Sequence, residues 1–237
     1  MALPMNATPT YTLTVPSSKE TVKFRPFLVK EEKALLIAQQ SEDAKVMVDT
    51  LKQVITSCVQ TKLDVDNLAT FDLEYIFSQI RAKSVGETIE LIFPCDDCDD
   101  EKAKVKISFD VSKVQVFFPE GHNKKVELFN DVGVIMKYPS LEVIKKIENI
   151  EVDDVDSIFD VVSECIEIVY TADEVFHTKD QSKQEVLEFL GNLTTEQFNK
   201  IQKFFETMPR LKQEVKYSCP ICKKPHEKVL EGLDSFF

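Results

Sequence analysis

Residues 10–29, TYTLTVPSSKETVKFRPFLV, alternate apolar and polar side chains. Tyr11, Leu13 and Val15 share one face, Pro16, Ser17 and Ser18 supply a turn, and Val22 and Phe24 resume the same period, which predicts a β-hairpin ending at Pro26. From Lys30 the period lengthens. KEEKALLIAQQ is built of helix formers and carries Leu35, Leu36 and Ile37. DAKVMVDTLKQVITSCVQ sets Val46, Val54 and Cys58 at three-to-four spacing, an amphipathic helix. DNLATFDLEYIFSQIRAKS repeats Leu68, Phe71, Tyr75 and Ile76 down one face, with Asp66 or Asn67 as its expected N-cap. Strands return over 87–118, where ETIELIFP and KAKVKISFDV flank a turn and KVQVFF continues the pattern. VELFNDVGVIMKYP predicts a further strand pair. From Ser140 the spacing predicts helices in SLEVIKKIENI, VDSIFDVVSECIEIVYT, KQEVLEFLGNL and TTEQFNKIQKFFETMP, the last capped by Thr194 or Thr195 and ended by Pro209. LKQEVKYS and HEKVLEG then form a closing hairpin, followed by LDSFF.

The expected class is α+β: β-hairpins forming a zinc-ribbon-like element, amphipathic helices, and a largely helical insert. The expected divisions are an N-terminal hairpin with helices over 1–86, a hairpin and strands over 87–138, a helical segment over 139–210, and a second hairpin with an apolar tail over 211–237. The pieces 87–138 and 211–237 are expected to pack together.

The 237 residues are 43% hydrophobic and 30% charged, a globular composition with ample material for a core. Only five glycines occur, and no Gly-, Pro- or Ser-rich run marks a long linker. The formal net charge of −12 repels phosphate backbones and argues against a nucleic-acid partner. The short basic stretches Lys102–Lys106 and Lys223–Lys228 are interrupted by acids and are expected to be solvated strand faces. No apolar run approaches the roughly 20 residues that span a bilayer. MALPMNATPT lacks the basic and apolar regions of a secretory signal, so the chain is expected in the cytoplasm, where thiols stay reduced.

Two Cys-x-x-Cys pairs then become informative. Cys95 and Cys98 lie in PCDDCDD, and Cys219 and Cys222 in SCPICKKPHE, each at the predicted tip of a hairpin. A Cys-x-x-Cys turn presents two thiolates to one ion, and two such turns complete a tetrahedral zinc site. The sequence separation is no obstacle, because loop-closure entropy grows only logarithmically with length. One structural zinc per chain on Cys95, Cys98, Cys219 and Cys222 is the expectation. His226 is a competing ligand in place of one cysteine, and unmetallated turns are the plainer alternative. Four protein ligands leave no open position for water or substrate, so the ion would be structural. A redox pair would normally open a helix beside a βαβ unit, and neither pair does. Cys58 and Cys165 fall among apolar helix positions and are expected to be buried.

No catalytic constellation emerges. His122, His177 and His226 have no nucleophile or acid at a telling spacing, and Walker, Gly-x-Ser-x-Gly and His-Glu-x-x-His motifs are absent. The acidic group Asp96, Asp97, Asp99, Asp100 and Glu101 lacks the ligand order of a calcium loop and is expected to be a solvated tip. A non-enzymatic protein is expected.

Two stretches carry more than composition. FRPFLVKEEKALLIA (Phe24–Ala38) and NLATFDLEYIFSQIRAKSVGE (Asn67–Glu87) resemble the baseplate hub assembly proteins of T-even-type, contractile-tailed bacteriophages. In that family a strand passes through an Arg-Pro-Phe-like turn into a Lys- and Glu-rich helix. A helix ending in Arg-x-Lys-Ser-x-Gly-Glu feeds the first strand of the ribbon. The ending Gly232, Phe236, Phe237 is similar too, and the resemblance is strongest over 20–100. It implies a non-enzymatic baseplate hub subunit or hub assembly factor whose partners are other hub proteins and the tail tape-measure protein. It places the chain in the host cytoplasm during assembly and in the tail baseplate of the virion. Phe236 and Phe237 are candidate partner-binding residues. The alternative is a zinc-ribbon nucleic-acid-binding protein such as a transcription factor.

Overall fold

A computed structural model of the chain describes residues 7–41, 43–98, 100–143 and 155–232. The strands, in chain order, are β1 (Tyr11–Thr14), β2 (Thr21–Phe24), β3 (Thr88–Phe93), β4 (Val105–Asp110), β5 (Gln115–Phe117), β6 (Lys125–Phe129), β7 (Val132–Met136), β8 (Ile166–Tyr170), β9 (Val175–His177), β10 (Arg210–Ser218) and β11 (Pro225–Glu231). The helices are α1 (Val29–Ser41), α2 (Ala44–Cys58), α3 (Thr70–Ser84), α4 (Val155–Glu164), α5 (Lys183–Gly191) and α6 (Thr195–Glu206). The fold is α+β. Two compact units divide it: one takes the chain up to Val65, Phe71–Phe117 and the chain from Arg210, the other Asp66–Thr70 and Phe118–Pro209.

In the first unit β1 and β2 form the antiparallel hairpin that the alternation predicts, with Tyr11 opposite Phe24. Leu13, Val15, Val22 and Phe24 are buried. The turn is fastened by Asp72 of α3, a fully buried carboxylate that accepts from the Ser17 amide at 2.9 Å and from the Ser17 hydroxyl. Burying a carboxylate is tolerated only when its lone pairs are used, and here they hold the hairpin to the helix.

The Arg-Pro-Phe turn has a similar logic. Arg25 donates to the carbonyls of Pro26 (2.8 Å) and Ser57 (3.0 Å) and pairs with Glu31 (3.0 Å). Glu31, buried in the first turn of α1, also accepts from the Leu28 amide at 2.8 Å. One guanidinium thereby joins the end of β2, the start of α1 and the end of α2. The second motif meets the first, since Ser84 Oγ accepts from the Phe27 amide at 2.9 Å. Gly86 turns the chain from α3 into β3 at φ +142°, where a side chain would be strained.

β3 and β4 pair antiparallel as a two-stranded hairpin. β10 lies between β11 and β5, antiparallel to both. Ile89, Val111, Val114, Leu211, Val215 and Leu230 form a buried cluster under these strands.

The second unit is a four-stranded antiparallel sheet in the order β6-β7-β8-β9. The β6–β7 hairpin turns through Asn130 and Asp131, both at positive φ, which matches the twist of the strands. A Cβ on Gly133 would overlap the Tyr170 hydroxyl, so only glycine fits where β8 pairs with β7. Leu128, Val134, Met136, Ile166, Leu190, Ile201 and Phe204 are in its core. Capping boxes start α5 (Ser182 with Glu185) and α6 (Thr194 with Gln197).

Several expectations are corrected. Ile166–Tyr170 does not continue the helix begun at VDSIF; α4 ends at Glu164 and IEIVY is a strand between β7 and β9. Ile166, Ile168 and Val169 are β-branched; all three pair with β7, and Ile168 and Val169 pair with β9 as well, which outweighs the local helical period. The segment 139–210 is therefore mixed, and a division at 138/139 runs through a sheet that joins β7 to β8. Asp66 and Asn67 do not cap α3; Val65–Asn67 is a short 3-10 turn and the helix begins at Thr70. On α1, a helix as expected, Leu36 and Ile37 are 54% and 56% exposed. Of the helix expected over 140–150, Ser140 forms an isolated bridge to Ala69 and Leu141–Val143 is helical; residues 144–150 lie outside the described residues, as do Asp99, Phe236 and Phe237.

Candidate metal centre

The four cysteines meet at the tips of two hairpins in the first unit. Pro94 ends β3 and Cys95 and Cys98 occupy the turn toward β4. Cys219 and Cys222 occupy the turn between β10 and β11, where Lys223 takes a left-handed conformation at φ 61°. The Cys219 amide donates to the Lys224 carbonyl at 3.0 Å and the Lys223 amide to the Cys219 carbonyl at 3.1 Å, closing the turn. Ile221 N–H points at the Cys219 sulfur at 3.4 Å.

The sulfurs of all four lie within 4.8 Å of one another. Cys95 and Cys222 are 3.7 Å apart, and Cys219 and Cys98 4.0 Å. Zinc–sulfur bonds of about 2.3 Å in a tetrahedron set sulfurs about 3.8 Å apart, so these side chains fit a four-thiolate ion. Cys95 is 6% and Cys219 1% exposed, with Ala103 buried beside them, whereas Cys98 and Cys222 are half-buried. The thiols differ in acidity. Burial raises Cys219, but the amides of Cys222 and Ile221 and the neighbouring thiols outweigh it and bring it down to about 7. Cys98 is pushed up, first by its hydrogen bond with Cys222 and then by burial. A thiolate cradled by backbone amides is the form that a metal takes.

Around the sulfurs the two hairpins are tied by groups that the sequence pattern did not expose. Lys224 pairs with Asp97 at 2.9 Å and Lys228 with Asp96 at 2.9 Å. The Lys228 hydrogen bond and charge lower the Asp96 carboxyl, and Asp97 raises the Lys224 ammonium in the same way. The acidic tip is thus not simply solvated, and these lysines are not a free basic face. Tyr217 donates from its hydroxyl to the Pro94 carbonyl at 3.0 Å and stacks on Phe93, ring centroids 5.3 Å apart. His226 stacks on Tyr217, ring centroids 5.2 Å apart, with Nε2 3.3 Å from Cys95 Sγ. Cys95, Asp97 and His226 form a second, overlapping group of possible donors.

The other predicted cysteines lie apart from this centre. Cys58 and Cys165 are fully buried and their thiols are raised by burial, to about 11 and about 12. His122 uses both ring nitrogens, on Thr207 at 3.0 Å and Tyr138 at 3.1 Å.

No curated protein and no solved structure matches the chain significantly. A family model described as T4 bacteriophage base plate protein matches residues 8–237, which takes in both resembling stretches and all four cysteines of the centre. The chain belongs to the T4 bacteriophage base plate protein family.

Proposed function

We propose that the chain is a non-enzymatic hub component of the phage tail baseplate, a hub subunit or hub assembly factor that works through protein contacts. The observation that carries this reading is the family match along 8–237. Its partners would be other baseplate hub proteins, with the tape-measure protein as a further one. It would act in the host cytoplasm during assembly and reside in the virion tail. Among the described residues no helix is long and apolar enough to cross a membrane.

The surface of the first unit supports contact-making. Val29, Leu36, Ile37 and Val85 put apolar side chains into solvent. Leu36 and Val85 also line a groove of about 190 Å³, together with Leu35 of α1, Met47 and Leu51 of α2, and Phe77 and Arg81 of α3. Apolar surface of this kind is what a protein partner covers. The lysine–aspartate pairs at the hairpin tips speak against the nucleic-acid alternative, because those cations are already neutralised locally.

We further propose that the centre holds one structural zinc in a ribbon-like pair of hairpins. With four thiolates as ligands the ion would have no position for substrate and would fasten residues 95–98 to 219–222.

Tagged protein isolated from infected cells should bring down hub proteins identified by mass spectrometry. The doubly substituted L36E/I37E chain should lose them while keeping its melting temperature, since both side chains are exposed. Recovery of no tail protein with the wild type would contradict the reading.

A further inference from the structure

Resting on the zinc reading, we infer that His226 is a positioning residue of the centre, donating from Nε2–H to the thiolate of Cys95. The two atoms are 3.3 Å apart, within reach for a sulfur acceptor. They come from different hairpins, so the bond fixes the first knuckle against the second. The ring is held for this task. In the β10–β11 ladder Tyr217 stands directly opposite His226, and their rings stack with planes 22° apart. Tyr217 is itself fixed by its hydrogen bond to Pro94 and its stack on Phe93. Phe93, Pro94 and Cys95 are consecutive, so the same short segment supplies both the support for the ring and the sulfur that it faces.

The chemistry gives the bond a purpose. Four thiolates around a dication leave a net charge of −2, and electron-rich thiolates are prone to protonation, alkylation and loss of the metal. A hydrogen bond from nitrogen withdraws charge from the sulfur while leaving it bound to the ion. Groups that orient or donate to metal ligands typically change metal retention about 10- to 100-fold. Lys224 and Lys228 stand beside the centre but are engaged by Asp97 and Asp96, which leaves His226 as the side chain directed at a ligand sulfur among the described residues. Four sulfurs already converge without the imidazole, which makes it a donor to a ligand rather than a ligand.

Two substitutions separate the donor from the ring. His226→Phe keeps an aromatic stack on Tyr217 but removes the N–H. His226→Gln restores an N–H near the position of Nε2. The readouts are zinc transfer from the loaded full-length chain to a chromophoric chelator, and mass-spectrometric mapping of the first cysteine that iodoacetamide alkylates. His226→Phe should bind one zinc but release it about tenfold faster, with alkylation moved to Cys95. His226→Gln should bring both readouts back toward wild type. Equal release and an unchanged alkylation order in His226→Phe would overturn the inference, as would accelerated release that His226→Gln does not correct. Zinc retained by Cys95→Ser but lost by His226→Phe would overturn it in favour of His226 as a ligand. A wild-type chain that binds no zinc on titration would remove the zinc reading itself, a result distinct from these.

Discussion

Arg25 and Glu31 show how much one pair of side chains can organise. Arg25 is legible as part of a familiar-looking turn, yet its three roles are not, because Ser57 and Glu31 lie in other elements. Burial works against the Glu31 carboxylate, and the hydrogen bonds from Arg25 and Leu28 with the Arg25 and Lys30 charges overcome it, so its pKa is lowered. A lowered carboxyl stabilises the fold above its unfolded-state value, and that stabilisation is lost as pH falls through the folded value. Replacing Glu31 by Gln removes the charged partner of a half-buried guanidinium and should cost about 2 kcal/mol at pH 7, measured by urea denaturation. Below the ordinary carboxylate range the difference between wild type and Glu31→Gln should shrink; a constant difference would remove Glu31 as the source. Tyr170 offers the opposite test. Its buried hydroxyl has no hydrogen-bond partner among the described residues, so Tyr170→Phe should raise stability by about 1 kcal/mol. A loss of stability would mean that the hydroxyl is satisfied.

At the scale of elements, the sequence pattern is trustworthy where local and tertiary demands agree. The β1–β2 hairpin, α1 to α3, α5 and α6 all follow from period, and Thr194 is the N-cap that its side chain suggests. Removing the capping hydroxyls by Ser182→Ala or Thr194→Ala should each cost about 1 kcal/mol in the same denaturation assay. The pattern misleads at IEIVY, where a short apolar run satisfies both periods and only the ladder with β7 and β9 decides. It is silent at Gly133, whose requirement is set by Tyr170 of the neighbouring strand β8. Gly133→Ala should cost about 2 kcal/mol through overlap with Tyr170 and the Val126 carbonyl, and Tyr170→Phe should recover part of the loss. Full stability of Gly133→Ala would show that the sheet yields there.

For the whole molecule, the α+β class was readable from the alternation of periods, and the candidate centre from two Cys-x-x-Cys turns between strands. What brings the turns together was not. Tyr217, His226, Lys224 and Lys228 act across strands or hairpins, and such contacts leave no local period. The division into two units was hidden for the same reason, since β5 joins β10 while β6 and β7 join β8. Whether a metal fastens the two hairpins is tested most directly by zinc content from mass spectrometry under native conditions, followed by hydrogen exchange of the same protein with and without chelator. One zinc per chain is expected and, on chelation, faster exchange in β3, β4, β10 and β11 with β6 to β8 unchanged. A chain without zinc, or one whose exchange in those four strands ignores chelator, would contradict a metal that fastens the two hairpins.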